Sequence, residues 1–399
     1  MNAQTQKIVV EEIAGSIDIP ESAYEKAEKR YKDLGDWFNR KEVRCSAFSP
    51  HIYSQGSFRL GTVIRPLNDK DEYDLDVGCR LKQGISKTTH TQKQLKELVG
   101  VDLEEYRKAS RIQNCLDEKH RCWRLQYADE MSFHMDVVPS IPEDARLIES
   151  LQEAMIKAGR EKFLAQSVAK LAGAITDNQL PNYGLINVDW RISNSEGYAK
   201  WFESRMRLAK ALLEKRVFEA KVAQVDDLPA RKWKSPLQRC VQILKRHRDI
   251  MFKDNIDGKP ISIIITTLAA EAYQGEDTIE SAMQNILSRM GGLVRKQDPR
   301  VPNPVNPAED FADKWAKNRQ LEQNFWNWLQ QVQADFQQIG DAVDAEYVAG
   351  QVQQKFSVRL NESDLQKRLG LKEQSTNDGL KYSGPIIVDS KPSGRHFAC

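Results

Sequence analysis

Tyr73-Asp74-Leu75-Asp76-Val77 sets two carboxylates between three apolar residues. In a β-strand alternate residues share a face. Asp74 and Asp76 are therefore predicted to project together while Tyr73, Leu75 and Val77 enter a core. A second run, Phe133-His134-Met135-Asp136-Val137-Val138-Pro139, repeats the alternation and carries one acid. If the two runs are neighbouring strands, Asp136 joins the pair. Unpaired carboxylates beside such apolar neighbours are costly, and three together need a compensating cation. Oxygen donors on adjacent strands suit Mg²⁺, and a pair of Mg²⁺ ions suits in-line phosphoryl or nucleotidyl transfer. His134 shares a strand face with Asp136, but Mg²⁺ prefers oxygen, so it reads as a packed neighbour and not a ligand.

Upstream lies Gln55-Gly56-Ser57-Phe58. A glycine before a serine lets the backbone approach a phosphate, while turn amides and the hydroxyl donate to its oxygens. Gly-Ser is also an ordinary turn dipeptide, and its weight comes from the acids that follow. Asp69-Lys70-Asp71 is a rival Asp-x-Asp, but it sits in a polar turn flanked by Pro66 and Asn68 and reads as a solvated loop. Asp74-Leu75-Asp76 has an apolar centre and the alternating strand, which Asp69-Lys70-Asp71 lacks.

The chain has 399 residues and a formal charge of +2. That length holds two ordinary domains or one bilobal unit. The near-neutral charge makes any polyanion site local and argues against an extensive nucleic-acid surface. No apolar run is long enough to cross a bilayer, and Met1 to Glu12 lacks a secretory pattern. The six cysteines, Cys45, Cys79, Cys115, Cys122, Cys240 and Cys399, show no metal-ligand spacing. Reduced thiols and a cytoplasmic location are the expectation.

Along the chain, residues 1–19 read as a flexible arm. Pro20 opens a helix through Ala23, Ala27, Tyr31, Leu34 and Phe38. The residues from Tyr73 to Leu81 read as a strand, those from Val101 to His120 as helix, and those from Cys122 to Tyr127 and Ser132 to Val138 as a strand pair ended by Pro139 and Pro142. A helix is expected from Arg146 to Leu171, a possible strand from Leu185 to Trp190, and a helix capped by Asn194 to about Lys221. Asp226 to Pro229 reads as a linker. Helices follow from Pro236 to Phe252, Pro260 to Tyr273, Thr278 to Arg289 and Glu309 to Phe336, with an extended insertion from Pro302 to Pro307. The expected units are the arm, a catalytic lobe of residues 20–225, a helical lobe of residues 226–372 and a flexible tail of residues 373–399.

Gly56-Ser57, Asp74-Leu75-Asp76 and Asp136-Val137-Val138-Pro139 resemble the signature of polymerase-β-like nucleotidyltransferases. With Arg59-Leu60-Gly61-Thr62 and Ile64-Arg65-Pro66, the pattern is similar to the bacterial cGAS/DncV-like nucleotidyltransferases (CD-NTases) of CBASS anti-phage defence. Lys245, and Ser262 in Pro260-Ile261-Ser262, resemble that family's triphosphate-clamping Lys and Ser. Asn303-Pro304 and Asn306-Pro307-Ala308-Glu309-Asp310-Phe311 resemble one of its characteristic loops. The sixteen residues between Ser57 and Asp74 exceed the spacing of many relatives.

The resemblance implies an α+β, bilobal fold: a small mixed sheet with flanking helices plus a C-terminal helical bundle, with the helix from Pro20 spanning both lobes. It implies synthesis of a cyclic di- or trinucleotide, or a short linear one, from ATP and other NTPs. Asp74, Asp76 and Asp136 are the expected catalytic and metal-binding residues, with two Mg²⁺ ions for which Mn²⁺ can substitute. Gln55, Gly56, Ser57, Lys245, Ser262 and Asn306 are the expected substrate-binding residues. A solvated helix lysine and a helix N-cap remain the plain alternatives for Lys245 and Ser262. The product would act as a second messenger on a downstream effector. The C-terminus, ending in Cys399, is a candidate handle for a ubiquitin-conjugation-like partner. Modification of an RNA end or a protein hydroxyl, and a catalytically silent nucleotide-binding scaffold, are the competing functions.

Overall fold

The computed structural model describes residues 3–68, 71–127, 133–213, 234–342 and 344–369. The chain begins with α1 (Ala3–Ser16) and α2 (Glu21–Phe38). One sheet then forms from β1 (Pro50–Ser54), β2 (Tyr73–Leu81), β3 (Asp117–Glu118), β4 (Trp123–Tyr127), β5 (Phe133–Pro142), β6 (Gly173–Ile175) and β7 (Arg191–Ser193). The short α3 (Gly56–Leu60) follows β1, α4 (Gln92–Ala109) follows β2, and α5 (Ala145–Lys157) and α6 (Lys162–Ala169) separate β5 from β6. After α7 (Ser195–Leu213) come α8 (Pro236–Met251), α9 (Ser262–Ala272) and α10 (Ile279–Arg289). A two-stranded ribbon of β8 (Pro302–Asn303) and β9 (Asn306–Asp310) precedes α11 (Lys314–Lys317), α12 (Arg319–Asp341), α13 (Ala345–Phe356) and α14 (Glu362–Leu369).

β2 lies parallel to β5, while β1 on its other side and β4 beyond β5 run antiparallel to their neighbours. The alternation quoted at the outset drives this arrangement. Leu75, Val77, Met135 and Val137 are fully buried beneath the sheet, each contributing about 1.5–3 kcal/mol of transfer free energy. Their polar neighbours are left on the opposite face. α2 covers the core with Ala23, Ala27, Tyr31, Leu34 and Phe38, and α4 with Leu95, Val99 and Leu103.

A second core gathers the helices around α8, including Val241, Leu244, Ile265, Leu268, Trp328 and Phe356. Ser235 and Gln238 form a reciprocal capping box at the start of α8, with Pro236 in its first turn. The mixed α+β, two-part architecture of the sequence reading is present.

Its internal boundaries differ. Residues 1–19, read as a loose arm, contain α1, whose Val9, Val10 and Ile13 are buried in the helical core. Asp18 then pairs with Lys234 and Arg239 at α8. A short amphipathic helix whose apolar face is covered by distant segments gives little local signal. Residues of α5 to α7 enter the helical core while β6 and β7 between them stay with the sheet, so the two cores interleave along the chain before residue 225. The buried residues of α2 belong to the sheet-side core alone, and α2 does not span both halves.

The β4–β5 pairing stops at Val137, before Pro139, and β5 itself runs on to Pro142, pairing with β6 through Ser140, Ile141 and Pro142. The helix read from Val101 to His120 starts at Gln92 instead, capped by Thr91. The helix read from Arg146 to Leu171 is broken at Gly159, whose φ is +85°. No strand forms from Leu185 to Trp190. The helix read from Glu309 begins ten residues later at Arg319, because Asn306–Asp310 pairs as a strand. The linker at Asp226 to Pro229 and the tail after Leu369 lie outside the described residues.

Candidate active site

Parallel pairing places Asp76 opposite Asp136 and Asp74 opposite His134. Antiparallel pairing with β4 then sets Arg124 opposite Asp136 and Gln126 opposite His134. One sheet face therefore carries two rows: Asp76, Asp136 and Arg124 in the first, Asp74, His134 and Gln126 in the second. Carboxylates concentrate on β2 and positive or neutral groups on β4.

Each polar group has a definite partner. His134 Nε2 lies 3.0 Å from Asp74 Oδ1, and Nδ1 lies 3.0 Å from Glu72 Oε2. The hydrogen bond to Asp74 raises the imidazole's pKa above its ordinary value. Arg124 donates through Nε and Nη2 to the two oxygens of Asp136, each at 2.7 Å. Among the described residues no cation forms a direct ion pair with Asp76, although the charges of His134 and Lys245 act on it. Burial first, then the charges of Asp74 and Asp136, push its carboxyl up to about 7.

Gly56 carries the close approach between the first motif and the acids. Its φ is +64°, and a Cβ there would overlap Asp76 Oδ2. The Gln55 amide donates to the Asp76 carbonyl at 2.9 Å, continuing the β1–β2 ladder into the turn. Phe58, buried in the sheet-side core, anchors α3 behind Ser57.

α8 reaches this turn from the helical half. Gln238 Nε2 donates to the Leu60 carbonyl at 2.9 Å and Gln242 Nε2 to that of Val63 at 2.6 Å. One turn on, Lys245 Nζ donates to both the carbonyl and the hydroxyl of Thr62 at 3.1 Å. Lys245 is buried, and burial followed by the charge of Arg248 lowers its pKa to about 7. Arg248 Nη1 donates to Ser262 Oγ at 2.8 Å, leaving the serine hydroxyl its own proton. A cavity of about 630 Å³ opens between the halves, lined by Ser57, Asp74, Asp76, Lys245, Arg248 and Ser262. A second cleft of about 820 Å³ lies on the Asp136 side, bordered by Arg121, Arg124, Arg191 and Glu309.

The structure thus brings Gly56, Ser57, Asp74, Asp76, Lys245 and Ser262 to one cavity, whereas Asp136, opposite Asp76 on the neighbouring strand, lines the second cleft instead. Gln55 lines a smaller pocket with Gly56 and Asp76. Asn306 lines none of these three spaces. It pairs with Asn303 in the β8–β9 ribbon, and it is Asn303 and Glu309 that border the smaller pocket. Of the basic set Arg239, Arg246, Arg248 and Arg295, only Arg248 borders the large cavity. Trp315, Phe325 and Trp328 are buried in the helical core, and Trp326 packs against it. Asp71 of the rival motif bonds Asn68 and also borders the large cavity, while Asp69 and Lys70 lie outside the described residues.

Arg124, Glu72 and Thr62 were not singled out from the sequence. Arg124 was legible only through the register of a hairpin, which sequence alone leaves open to a slip. Donor atoms of Asp74, His134 and Asp136 lie within 4.8 Å of one another and could hold a metal ion, so His134, read from the sequence as a packed neighbour, stands among the candidate ligands, while Asp76 adds a third carboxylate to the same sheet face.

A sheet bearing three acids beside a Gly-Ser turn, closed by a helical half that supplies a buried lysine, is the arrangement that the sequence resemblance to polymerase-β-like nucleotidyltransferases implies. Residues 50–139 match the family described as "Cyclic GMP-AMP synthase DncV-like, nucleotidyltransferase domain". The c-di-GMP synthase of Roseivirga ehrenbergii is 28% identical over 348 residues, 86% of this chain and 81% of that protein. The cyclic dinucleotide synthase CdnG of Bradyrhizobium diazoefficiens is 25% identical, over 96% of this chain and 89% of its own. Its structure in complex with GTP superposes with a TM-score of 0.60 at 20% identity, covering 92% of this chain and 98% of that one. Residues 50–139 thus match a DncV-like nucleotidyltransferase domain, and along most of its length the chain is similar to cyclic dinucleotide synthases and shares their fold. No helix among the described residues is long and apolar enough to cross a membrane.

Proposed function

We propose that this chain synthesises a cyclic oligonucleotide from NTPs, with GTP among its substrates. The observation carrying this reading is a single cavity with a carboxylate cluster on its sheet side and a buried ammonium on its helical side. Opposite buried charges facing across such a space suit a cation-bound triphosphate. The names of the similar proteins, a c-di-GMP synthase and a cyclic dinucleotide synthase solved with GTP, support the same reading and the choice of guanine.

Asp74, Asp76 and Asp136 would hold Mg²⁺, which when bound offsets phosphate charge and acidifies a ribose hydroxyl. The chain's own residues do the rest. Ser57 and the amides of its turn hold the β- and γ-phosphates, and Lys245 neutralises part of their charge. Ser262, oriented by Arg248, adds a hydroxyl from the helical side. Asp136 faces the second cleft, where an acceptor ribose would lie, and takes the proton as the hydroxyl oxygen bonds to the α-phosphorus. The bond from the α-phosphorus to the bridging oxygen breaks, and pyrophosphate leaves. Repeating the step within the linear product closes the ring.

The product would serve as a second messenger in anti-phage signalling, and conjugation of Cys399 by a ubiquitin-conjugation-like partner would regulate its supply. Both rest on the sequence's resemblance to CD-NTases. Incubating purified protein with labelled GTP and ATP and Mg²⁺, then treating with phosphatase and analysing by mass, tests the activity. A phosphatase-resistant cyclic product is expected. No product, or label transferred only to added RNA or protein, would reject the reading.

A further inference from the structure

We infer that Arg124 is a positioning residue for Asp136, fixing which oxygen lone pairs of that acid remain for a divalent cation and for the acceptor hydroxyl. The inference rests on the function proposed above and assigns a part in it to a residue on β4.

The geometry is that of a planar fork. Nε and Nη2 of Arg124 each donate to a different oxygen of Asp136 at 2.7 Å. A carboxylate has two lone pairs on each oxygen. The fork occupies one on each and prevents the carboxylate plane from turning, while the Cys122 thiol also hydrogen-bonds the acid, which narrows further the lone pairs left free. Arg124 approaches from β4, whereas Asp76 lies on β2 at the other side of β5. The guanidinium therefore braces Asp136 from outside the acid cluster without entering the space between Asp76 and Asp136. It also borders the second cleft, on the side where Asp136 meets an acceptor.

The contrast with the neighbouring acids gives the pairing its meaning. Asp76 has no direct ion pair among the described residues, and Asp74 is held at one oxygen by His134 and is half exposed. Only Asp136 is held at both oxygens, and its side chain is 14% exposed. A lysine in place of Arg124 would supply charge without the plane.

The test uses Mn²⁺ as the probe ion on the full-length protein, with the non-reactive α,β-methylene analogues of GTP and ATP. Bound Mn²⁺ is counted by electron paramagnetic resonance. The wild type is expected to take up two ions. Arg124→Gln should keep one at wild-type affinity and loosen the other by at least about tenfold, the scale for losing a partner that orients a metal ligand. Arg124→Lys should fall between the two. In turnover, kcat should drop in parallel while KM for the donor nucleotide is unchanged. Arg124 is one-third exposed, so a melting curve should show the variants folded. Equal affinity for both ions in Arg124→Gln would overturn the inference, as would joint loss of both ions with a raised donor KM. A wild type that makes product and binds two ions beside an indifferent Arg124→Gln removes this inference alone. A wild type that does neither removes the proposed function with it.

Discussion

Asp76 and Lys245 face one cavity from opposite halves of the molecule, and each is a charge held away from water. The carboxylate on β2 is pushed up to about 7 and the ammonium on α8 is brought down to about 7. Their causes differ. Asp76 suffers from burial compounded by two neighbouring acids, whereas Lys245 suffers from burial compounded by the charges of Arg248 and Lys234. Neither relieves the other through a direct ion pair among the described contacts. Thr62 takes the lysine, and the aspartate feels the charges of His134 and Lys245 without a direct ion pair among the described residues. The sheet side is built to want a cation and the helical side an anion, and a metal-bound triphosphate is both.

The largest way to break this pairing is at the acids. Asp74→Asn with Asp76→Asn should lower turnover on the order of 10³-fold or more, the scale of losing preorganised electrostatic contacts, with an unchanged circular-dichroism spectrum. Gly56→Ala comes next. Its Cβ would push into Asp76, and a displacement of about 1 Å at reacting groups costs about 10²-fold in rate. Steady-state kinetics would show whether the loss falls in kcat, as a shifted acid requires. Lys245→Met should raise KM for the donor by about 10- to 100-fold, the range for one charge-assisted hydrogen bond. An unaltered KM would remove Lys245 from the phosphate site.

The smallest effect sharpens the comparison, because the two groups predict opposite slopes of stability with pH. In metal-free protein the folded Asp76 keeps its proton up to about 7, while an unfolded aspartate loses it near 3.8. Its contribution to stability therefore falls as pH rises through that window. The folded Lys245 loses its proton near 7 and the unfolded one near 10.5, so its contribution rises with pH between them. Asp76→Asn should accordingly melt a few degrees above wild type at pH 8 and level with it near pH 3.5. Lys245→Met should melt above wild type at pH 6, with the gap narrowing toward pH 10. Adding Mg²⁺ and a non-reactive NTP should close the first gap.

Much of the sheet half was legible because a period of two leaves little freedom: once Tyr73, Leu75 and Val77 are buried, Asp74 and Asp76 must share the other face. The same holds for Phe133, Met135 and Val137 with Asp136. The helical half was legible as helices but not as an assembly. Nothing in the run from Ala3 to Ser16 says which core will cover it, and the pairing of Asp18 with Lys234 and Arg239 spans more than two hundred positions. The β8–β9 ribbon escaped notice because its prolines read as a spacer. Arg124 was missed for a subtler reason, since a one-residue slip of its hairpin would send it to the opposite face.

An anomalous map at the manganese edge, from crystals grown with Mn²⁺ and the α,β-methylene analogue of GTP, examines the two-sided cavity most directly. Manganese should lie against Asp74 and Asp76, with the triphosphate running from it to Ser57 and Lys245. Manganese bound elsewhere, or a triphosphate turned away from Lys245, would contradict the assignment.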